Sequence, residues 1–229
     1  MVLTREMIED GGILRMVAES SPTLRVLSEG ERAASLAATL LGRPLEMRDG
    51  VPTGARDGVW LFAYGSLIWN PALHFVERRV ARIQGWHRSF CLSTIAGRGT
   101  PDAPGLVLGL DRGGACVGAA FRVAEAAIGT ELPLLWQREM LSGSYEPRWV
   151  AVRGADGGVF GAAIAFTIRR DGPYYARLER GELVRRLSSA AGPLGSSKEY
   201  LCKTRDGLRS LGIRDRWVEG LAAEVEACG

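Results

Sequence analysis

The stretch of sequence that decides the fold is VWLFAYGSLIWNP, which runs from Val59 to Pro71. Its first residues are apolar and aromatic without interruption, which is typical of a buried β-strand. The apolar run ends abruptly at Tyr64, and Gly65 and Ser66 then predict a tight turn. Backbone N–H groups in such a turn leave the sheet and need another partner, for which a substrate carboxylate is suited. An ordinary turn between a strand and a loop is the alternative, and these residues alone favour it.

The composition of the whole chain is that of a folded protein with a substantial core. The chain has 229 residues, of which 46% are hydrophobic, and its longest apolar run is too short to span a bilayer. A formal net charge of +3, from 29 basic and 26 acidic residues, is too small to indicate a nucleic-acid-binding surface. Residues 1–10 carry charges and no apolar signal sequence. We therefore expect a cytoplasmic protein that binds neither nucleic acid nor membranes.

The four cysteines and two histidines are too scattered to predict a metal site. A zinc site needs three or four clustered Cys or His ligands, and the chain has no C-x-x-C pair. His87 and Cys91 are four residues apart, but on a strand their side chains would lie about 13 Å apart, too far for a nucleophilic pair. Isolated thiols of this kind are typical of a reducing compartment. We therefore predict neither a metal nor a catalytic thiol.

The N-terminal quarter of the chain predicts a helical extension. Apolar residues within 8–17 recur at roughly helical spacing, and residues 31–41 predict a second helix rich in Ala and Leu. Residues 49–58 are rich in Gly, Pro and charge, as is typical of a linker. The predicted organisation is a helical extension and linker over 1–57, followed by the main domain over 58–229.

The main domain predicts short strands, tight turns and helices. Residues 111–114 and 154–158 each separate two runs with strand character, so we expect a hairpin at both. Further strands are predicted between residues 80 and 92, with an interruption at Gly85. Helices are predicted over residues 131–141, 177–190, 196–211 and 216–228. The predicted fold class is α+β, with a small, mostly antiparallel β-barrel and flanking helices.

One predicted helix carries a carboxylate on its apolar side. Glu139 lies four residues after Leu135 and three after Trp136, so the three side chains share a helix face. Partial burial there would raise the pKa of Glu139 and make it a better base. A solvated glutamate paired with a neighbouring arginine is the alternative that the helix alone favours. On a predicted strand, Arg88 is a candidate carboxylate clamp, because a guanidinium forms paired hydrogen bonds with carboxylates.

Five segments, taken in their order along the chain, resemble a known family. They are the strand and turn at 60–69, GWHRSF at 85–90, the loop at 98–105, Arg138-Glu139 with Gly143 and Tyr145, and GPLGSSKEYL at 192–201 with LGI at 211–213. Together they resemble the ChaC-type γ-glutamylcyclotransferases, which act on glutathione. The resemblance covers about residues 58–220 and implies a γ-glutamylcyclotransferase-like barrel with no metal and no organic cofactor.

The resemblance implies that the domain over 58–229 cleaves glutathione to 5-oxoproline and Cys-Gly. In this reaction the amine of the substrate attacks its own γ-carbonyl, and Glu139 is the implied general acid and base. The family's substrate-holding turn corresponds to the segment from Tyr64 to Leu67. The expected substrate-binding residues are Leu61, Phe62, Ala63, Tyr64, Gly65, Ser66, Leu67, Arg88 and Tyr145.

The sequence departs from the family pattern at two places and leaves other functions open. SGSY, ending at Tyr145, stands where family members often have Gly-Gly-Tyr, and Ser197-Lys198 replaces a commoner pair that contains Asn. One alternative is an enzyme of the same fold that acts on other γ-glutamyl amino acids or amines. Another is a non-catalytic binding or regulatory module. The sequence predicts neither the role of residues 1–57 nor the oligomeric state.

Overall fold

Five strands in the described part of the computed structural model close into a barrel. The structure describes residues 3–44, 47–48, 51–52 and 57–228. The barrel strands are β3 (Val59–Ala63), β4 (Glu77–Thr94), β5 (Gly105–Val123), β6 (Tyr145–Arg153) and β7 (Val159–Ile168). Outside the barrel, β1 (Met47–Arg48) pairs with β2 (Val51–Pro52), and β8 (Ala191–Gly192) pairs with β9 (Gly195–Ser196).

Helices flank this barrel, and those that the sequence predicted in the main domain are confirmed to within a few residues. The helices are α1 (Arg5–Glu9), α2 (Gly12–Ser20), α3 (Glu29–Leu41), α4 (Ser66–Trp69), α5 (Ile128–Glu139), α6 (Arg180–Ser189), α7 (Ser197–Ser210) and α8 (Arg216–Ala227). A 3-10 turn over Glu125–Ala127 leads into α5. At the start of α7, the hydroxyl of Ser196 accepts a hydrogen bond of 3.0 Å from the Glu199 N–H and caps the helix. None of the helices in the described ranges is long and apolar enough to cross a membrane.

The barrel is mostly antiparallel, so the predicted fold class is confirmed. β5 pairs antiparallel with β3 and β4, and β6 pairs antiparallel with β4 and β7. A parallel pairing between β3 and β7 closes the cylinder. Aromatic side chains are part of the hydrophobic core around these strands, among them Phe62, Phe121 and Phe166, each at most 2% exposed. Close packing in this core restricts the backbone at the end of β3, where the chain leaves the sheet.

Of the two predicted hairpins, one is confirmed and one is wrong. β6 and β7 form the hairpin around residues 154–158. At residues 111–114, however, β5 continues without a break and stays paired with β4. Gly113 and Gly114 have φ of 103° and 66°, Gly85 opposite them has φ of 80°, and the pairing register shifts there. Glycines with positive φ occur in β-bulges as well as in turns. Here they bend both strands, and the chain does not reverse its direction.

The N-terminal extension, residues 3–44, forms three helices in the structure, α1 to α3. Three of the apolar residues that predicted its first helix are buried, with Ile8, Ile13 and Val17 exposed by 1%, 4% and 1%. Gly11, with φ of 72°, divides that helix into α1 and α2. Of the linker predicted over 49–58, residues 49–50 and 53–56 lie outside the described residues. The division of the chain at residue 57 stays a prediction.

The thiols of the chain are separate from one another. Cys91, Cys116, Cys202 and Cys228 are all free cysteines. Burial raises the pKa of the Cys91 thiol to about 12, so this group stays protonated near neutral pH. His87, four residues earlier, instead lies within 3.1 Å of the Gly113 carbonyl oxygen through its Nδ1.

Candidate active site

The turn after β3 begins a short helix at one end of the barrel. Gly65 is the N-cap of α4, and Ser66 is its first residue. Tyr64, just before them, is buried, and its hydroxyl donates a hydrogen bond of 2.8 Å to the carbonyl oxygen of Phe166 on β7. This bond fixes the chain where it leaves the sheet. The turn therefore has a rigid base.

The other predicted substrate-binding residues of this stretch support the turn from within the protein. Leu61, Phe62 and Ala63 belong to β3 and are exposed by 1%, 1% and 0%. Leu67 in α4 is exposed by 6%. All four pack in the main hydrophobic core, so the polar groups next to the turn come from other segments.

Glu139 is the last residue of α5, and its carboxylate is mostly buried. Its side chain is 13% exposed, while Leu135 and Trp136 on the same helix face are exposed by 3% and 1%. Burial raises the pKa of Glu139 above its ordinary value, although the positive charge of Arg138 acts in the opposite direction. The partly desolvated carboxylate that the helical spacing predicted is present in the structure.

Arg138 connects this carboxylate to the turn. Its Nε lies 2.9 Å from Oε1 of Glu139, and its Nη2 donates a hydrogen bond of 2.9 Å to the hydroxyl of Ser66. Its Nη1 donates to the carbonyl oxygen of Asn70, at the end of α4, over 2.6 Å. One guanidinium therefore spans the distance between the predicted base and the predicted substrate turn.

Three buried or half-buried tyrosines lie close enough to Glu139 for its charge to affect their hydroxyl groups. The hydroxyl of Tyr145 donates a hydrogen bond of 2.6 Å to the carbonyl oxygen of Leu108. The hydroxyl of Tyr200 lies against the turn, 2.7 Å from the position that a Cβ on Gly65 would take. Burial raises the pKa of Tyr64, Tyr145 and Tyr200, and the charge of Glu139 adds to this effect on all three. The three phenols therefore stay protonated and able to donate hydrogen bonds near neutral pH.

Comparison with known proteins shows which family has this arrangement. The family model described as ChaC-like protein matches residues 59–228. The chain belongs to the ChaC-like family. The family resemblance that the sequence indicated is therefore confirmed, and the match includes both the turn and Glu139.

Curated relatives of this ChaC-like chain are named as gamma-glutamylcyclotransferases. The glutathione-specific gamma-glutamylcyclotransferase of Escherichia coli is 42% identical over 200 residues, which cover 87% of this chain and 82% of that protein. Gamma-glutamylcyclotransferase 2-1 of Arabidopsis thaliana is 32% identical over 73% of this chain and 82% of its own. The Escherichia coli alignment is longer than residues 59–229, so it includes part of the N-terminal extension.

A solved structure has the same fold as the ChaC-like chain. The yeast gamma-glutamyl cyclotransferase specific to glutathione superposes with a TM-score of 0.69. The two sequences are 20% identical, and the match covers 75% of this chain and 97% of the yeast chain. The barrel and its flanking helices are therefore a fold that the two proteins share.

In this ChaC-like chain, the guanidinium of Arg88, the carboxylate clamp that the sequence suggested, is bonded to groups of the protein itself. Arg88 is 6% exposed, and each of its three side-chain nitrogens donates to the protein itself. Nε bonds the Tyr64 carbonyl oxygen over 2.6 Å, Nη2 bonds the Val117 carbonyl oxygen over 2.7 Å, and Nη1 pairs with Asp215. The bond to the Tyr64 carbonyl oxygen means that Arg88 supports the start of the turn, and its role toward the substrate stays a prediction.

Two residues of the site were missed by sequence reasoning. The sequence pattern assigns no role to Arg138, although its position next to a carboxylate on an apolar helix face is a signal that identifies it. Tyr200 lies in the segment GPLGSSKEYL, which contributed to the family resemblance but received no role in the site. Tyr200 approaches Gly65 because α7 packs against α4. This packing joins distant segments, so the local sequence pattern does not predict it.

Two open clefts lie elsewhere on the molecule. Their volumes are about 440 and 680 Å³, and both are lined by His87, Ser89 and Trp217. Neither is lined by Glu139 or by Tyr64, Tyr145 and Tyr200. The candidate active site is assigned to Glu139 because a mostly buried carboxylate among hydroxyl groups has the chemistry of a proton-transfer site.

Proposed function

We propose that this protein is a γ-glutamylcyclotransferase that cleaves glutathione to 5-oxoproline and Cys-Gly. The observation that carries the proposal is the guanidinium of Arg138, which contacts both the Glu139 carboxylate and the Ser66 hydroxyl. It brings a base with a raised pKa next to the turn where a substrate would be held. The Escherichia coli and human relatives are named for activity on glutathione, which supports the same proposal.

In the proposed reaction, the α-amine of the γ-glutamyl group attacks its own γ-carbonyl carbon. A new C–N bond closes a five-membered ring, and the amide bond to the cysteine nitrogen breaks. The substrate itself supplies the proximity of the reacting atoms, which reduces what the protein must contribute. The amine must be neutral to attack, so Glu139 removes its proton and then passes that proton to the departing nitrogen.

The remaining site residues have supporting roles in this proposal. Backbone N–H groups at Gly65 and Ser66 hold the glutamyl end of the substrate. The protonated hydroxyl of Tyr200 is available as a hydrogen-bond donor when the γ-carbonyl oxygen gains negative charge, whereas the Tyr145 proton is donated to the Leu108 carbonyl oxygen. Such donors are worth more in a mostly buried site than in water.

Incubation of the purified protein with glutathione tests the proposal. We expect equal amounts of 5-oxoproline and Cys-Gly, measured by chromatography and mass spectrometry. A parallel incubation with γ-glutamyl-alanine separates an enzyme specific for glutathione from one that accepts other γ-glutamyl amino acids. Absence of product from both substrates, with a folded protein, would favour a non-catalytic binding module. The predicted cytoplasmic location is tested by cell fractionation.

A further inference from the structure

The N-terminal extension binds α5, the helix that ends at Glu139, near its start and near its end. Arg5 in α1 donates two hydrogen bonds, of 2.7 and 3.0 Å, to the carboxylate of Glu131 in the first turn of α5. The side-chain amide of Gln137, two residues before Glu139, donates to the carbonyl oxygen of Ile8 over 2.8 Å. These contacts attach α1 along the length of α5.

A second part of the extension binds the chain just beyond α5. The N–H of Leu27, between α2 and α3, donates a hydrogen bond of 2.8 Å to the carbonyl oxygen of Leu141, two residues after Glu139. The side chain of Leu27 also lies 3.4 Å from the position that a Cβ on Gly143 would take. The segment just beyond α5 is therefore packed against the extension as well as bonded to it.

The sequence of α5 explains why this helix needs external support. It contains Pro133 in its interior, a position where proline is strongly disfavoured. A proline there also removes one backbone hydrogen bond of the helix. In addition, Glu139 is the terminal residue, where the last carbonyl groups of a helix lack partners and the backbone frays. A side chain at that position keeps a fixed location only if other segments hold the helix end.

The extension also binds the segment that follows the turn. The side-chain amide of Asn70, the C-cap of α4, donates a hydrogen bond of 2.7 Å to the carbonyl oxygen of Leu3. Glu131, which pairs with Arg5, also accepts a bond of 2.9 Å from the backbone N–H of His74. The extension is thus connected both to the helix that carries the proposed base and to the segment that carries the substrate turn.

We infer that the N-terminal extension is a positioning element of the active site, with Arg5 and Leu27 as its two anchors on the helix of the proposed base. The inference rests on the proposed function. The anchors contact α5 and the residues just beyond it, so the extension acts on Glu139 through the helix and is not itself catalytic. It fixes the distance between Glu139 and the turn, and it limits the access of water to the helix end.

A substitution that weakens the Arg5 or the Leu27 contact should change the kinetics in a way that a loss of stability alone does not. We expect kcat to fall with little change in KM, because the extension positions the base and does not bind the substrate. More water at the helix end lowers the pKa of Glu139 toward its ordinary value, so the acid limb of kcat/KM moves to lower pH. Among the described residues, the charged and titratable groups that interact electrostatically with Glu139 are Arg138 on α5, Tyr64 after β3, Tyr145 on β6 and Tyr200 on α7. All four lie outside the extension, so a substitution in the extension leaves these groups in place. A shift of the acid limb therefore measures a change in the hydration of Glu139.

The chain offers a matched pair of arginines for the test. Arg5→Gln removes the anchor on Glu131, whereas Arg15→Gln removes an ion pair of 3.1 Å with Asp10 that lies within the extension and is largely exposed. We expect Arg5→Gln to lower kcat by about tenfold and Arg15→Gln to leave it unchanged, since small displacements of a catalytic group have large kinetic effects. Arg5→Lys should recover part of the loss, and Leu27→Ala should lower kcat in the same direction.

Hydrogen–deuterium exchange over residues 137–145 supplies a measurement that does not depend on turnover. We expect faster exchange in Arg5→Gln than in Arg15→Gln, at a temperature where circular dichroism shows that both variants are folded. If the wild-type protein releases no 5-oxoproline, the proposed function fails while the exchange data still test the anchor. Equal exchange in the two variants, or a fall in kcat without a shift of the acid limb, would overturn the inference.

Discussion

The two ends of α5 carry glutamates with opposite properties. The side chains of Glu131 and Glu139 are both mostly buried, at 4% and 13% exposure, and they lie about two helical turns apart. Burial acts to raise the pKa of Glu131, but hydrogen bonds from Arg5 and from the backbone of His74 outweigh it and leave this pKa below its ordinary value. Burial dominates for Glu139, where Arg138 opposes it only in part, so that pKa lies above its ordinary value.

The difference between these glutamates shows that burial alone does not identify a catalytic carboxylate. Each bond donated to a carboxylate stabilises its charged form, and a carboxylate with enough donors becomes a weak base that serves as a structural anchor. Glu131 accepts hydrogen bonds from two other segments of the chain. Among the described residues, Glu139 is paired with Arg138 alone. The balance between donors and desolvation is therefore what makes Glu139 suitable for proton transfer.

The largest effect is expected from the same substitution at the two positions. Glu139→Gln should fold normally and lower kcat by about 10²- to 10⁴-fold, because it removes the group that moves the proton. Glu131→Gln is the comparison: it weakens the Arg5 anchor, so its kcat should fall by no more than about tenfold. Release of 5-oxoproline from glutathione measures both. Full activity of Glu139→Gln would contradict the assignment of the base.

A second comparison uses one glycine near each glutamate. A Cβ on Gly65 would lie 2.7 Å from the Tyr200 hydroxyl, whereas a Cβ on Gly129, in the first turn of α5, meets nothing within 4 Å. Gly65→Ala should displace that hydroxyl and lower kcat/KM by about 10- to 100-fold. Gly129→Ala should keep full activity and stabilise the protein by about 0.5–1 kcal/mol. Steady-state kinetics with thermal melts distinguish the two, and equal kinetics would refute a role for the close approach of Tyr200.

A third prediction concerns the guanidinium next to the proposed base. Glu139 acts as a carboxylate, so kcat/KM should fall on acidification with an inflection above the ordinary glutamate value of 4.5. Arg138 holds that pKa down, so Arg138→Gln should move the inflection to higher pH, and Arg138→Lys should give an intermediate position. The pH profile of kcat/KM measures this. An inflection in Arg138→Gln that coincides with the wild-type one would argue against Glu139 as the titrating group.

The smallest effect is a difference in how stability depends on pH. Because the folded pKa of Glu131 is lowered, its contribution is present above the unfolded pKa and is lost as pH falls through the folded pKa. Glu131→Gln should therefore cost about 1.5–3 kcal/mol at pH 7, and less on acidification. The folded pKa of Glu139 is raised, so wild type should lose stability relative to Glu139→Gln as pH rises from 4.5 through the folded pKa. Urea denaturation between pH 4 and pH 7 compares the slopes, and slopes of the same sign would contradict the comparison.

Local physical chemistry determined much of the fold and part of the site. The uninterrupted apolar run before Tyr64 predicted β3, and the spacing of Leu135, Trp136 and Glu139 predicted a carboxylate on an apolar helix face. Both are properties of neighbouring residues, which the sequence displays directly. The same local logic was wrong for the glycines at 113 and 114, because a left-handed backbone suits a bulge inside a strand as well as a turn.

What the sequence by itself determined was the set of strands and helices, the turn after β3 and the family. Only the tertiary structure decided which side chains meet. It bonds Arg88 to Tyr64, Val117 and Asp215, three partners that the local pattern around Arg88 does not indicate. It also joins Arg5 to Glu131, 126 residues away. The physical reason is that a hydrogen-bond partner is chosen by the packing of distant segments, which depends on the whole chain and on no local pattern.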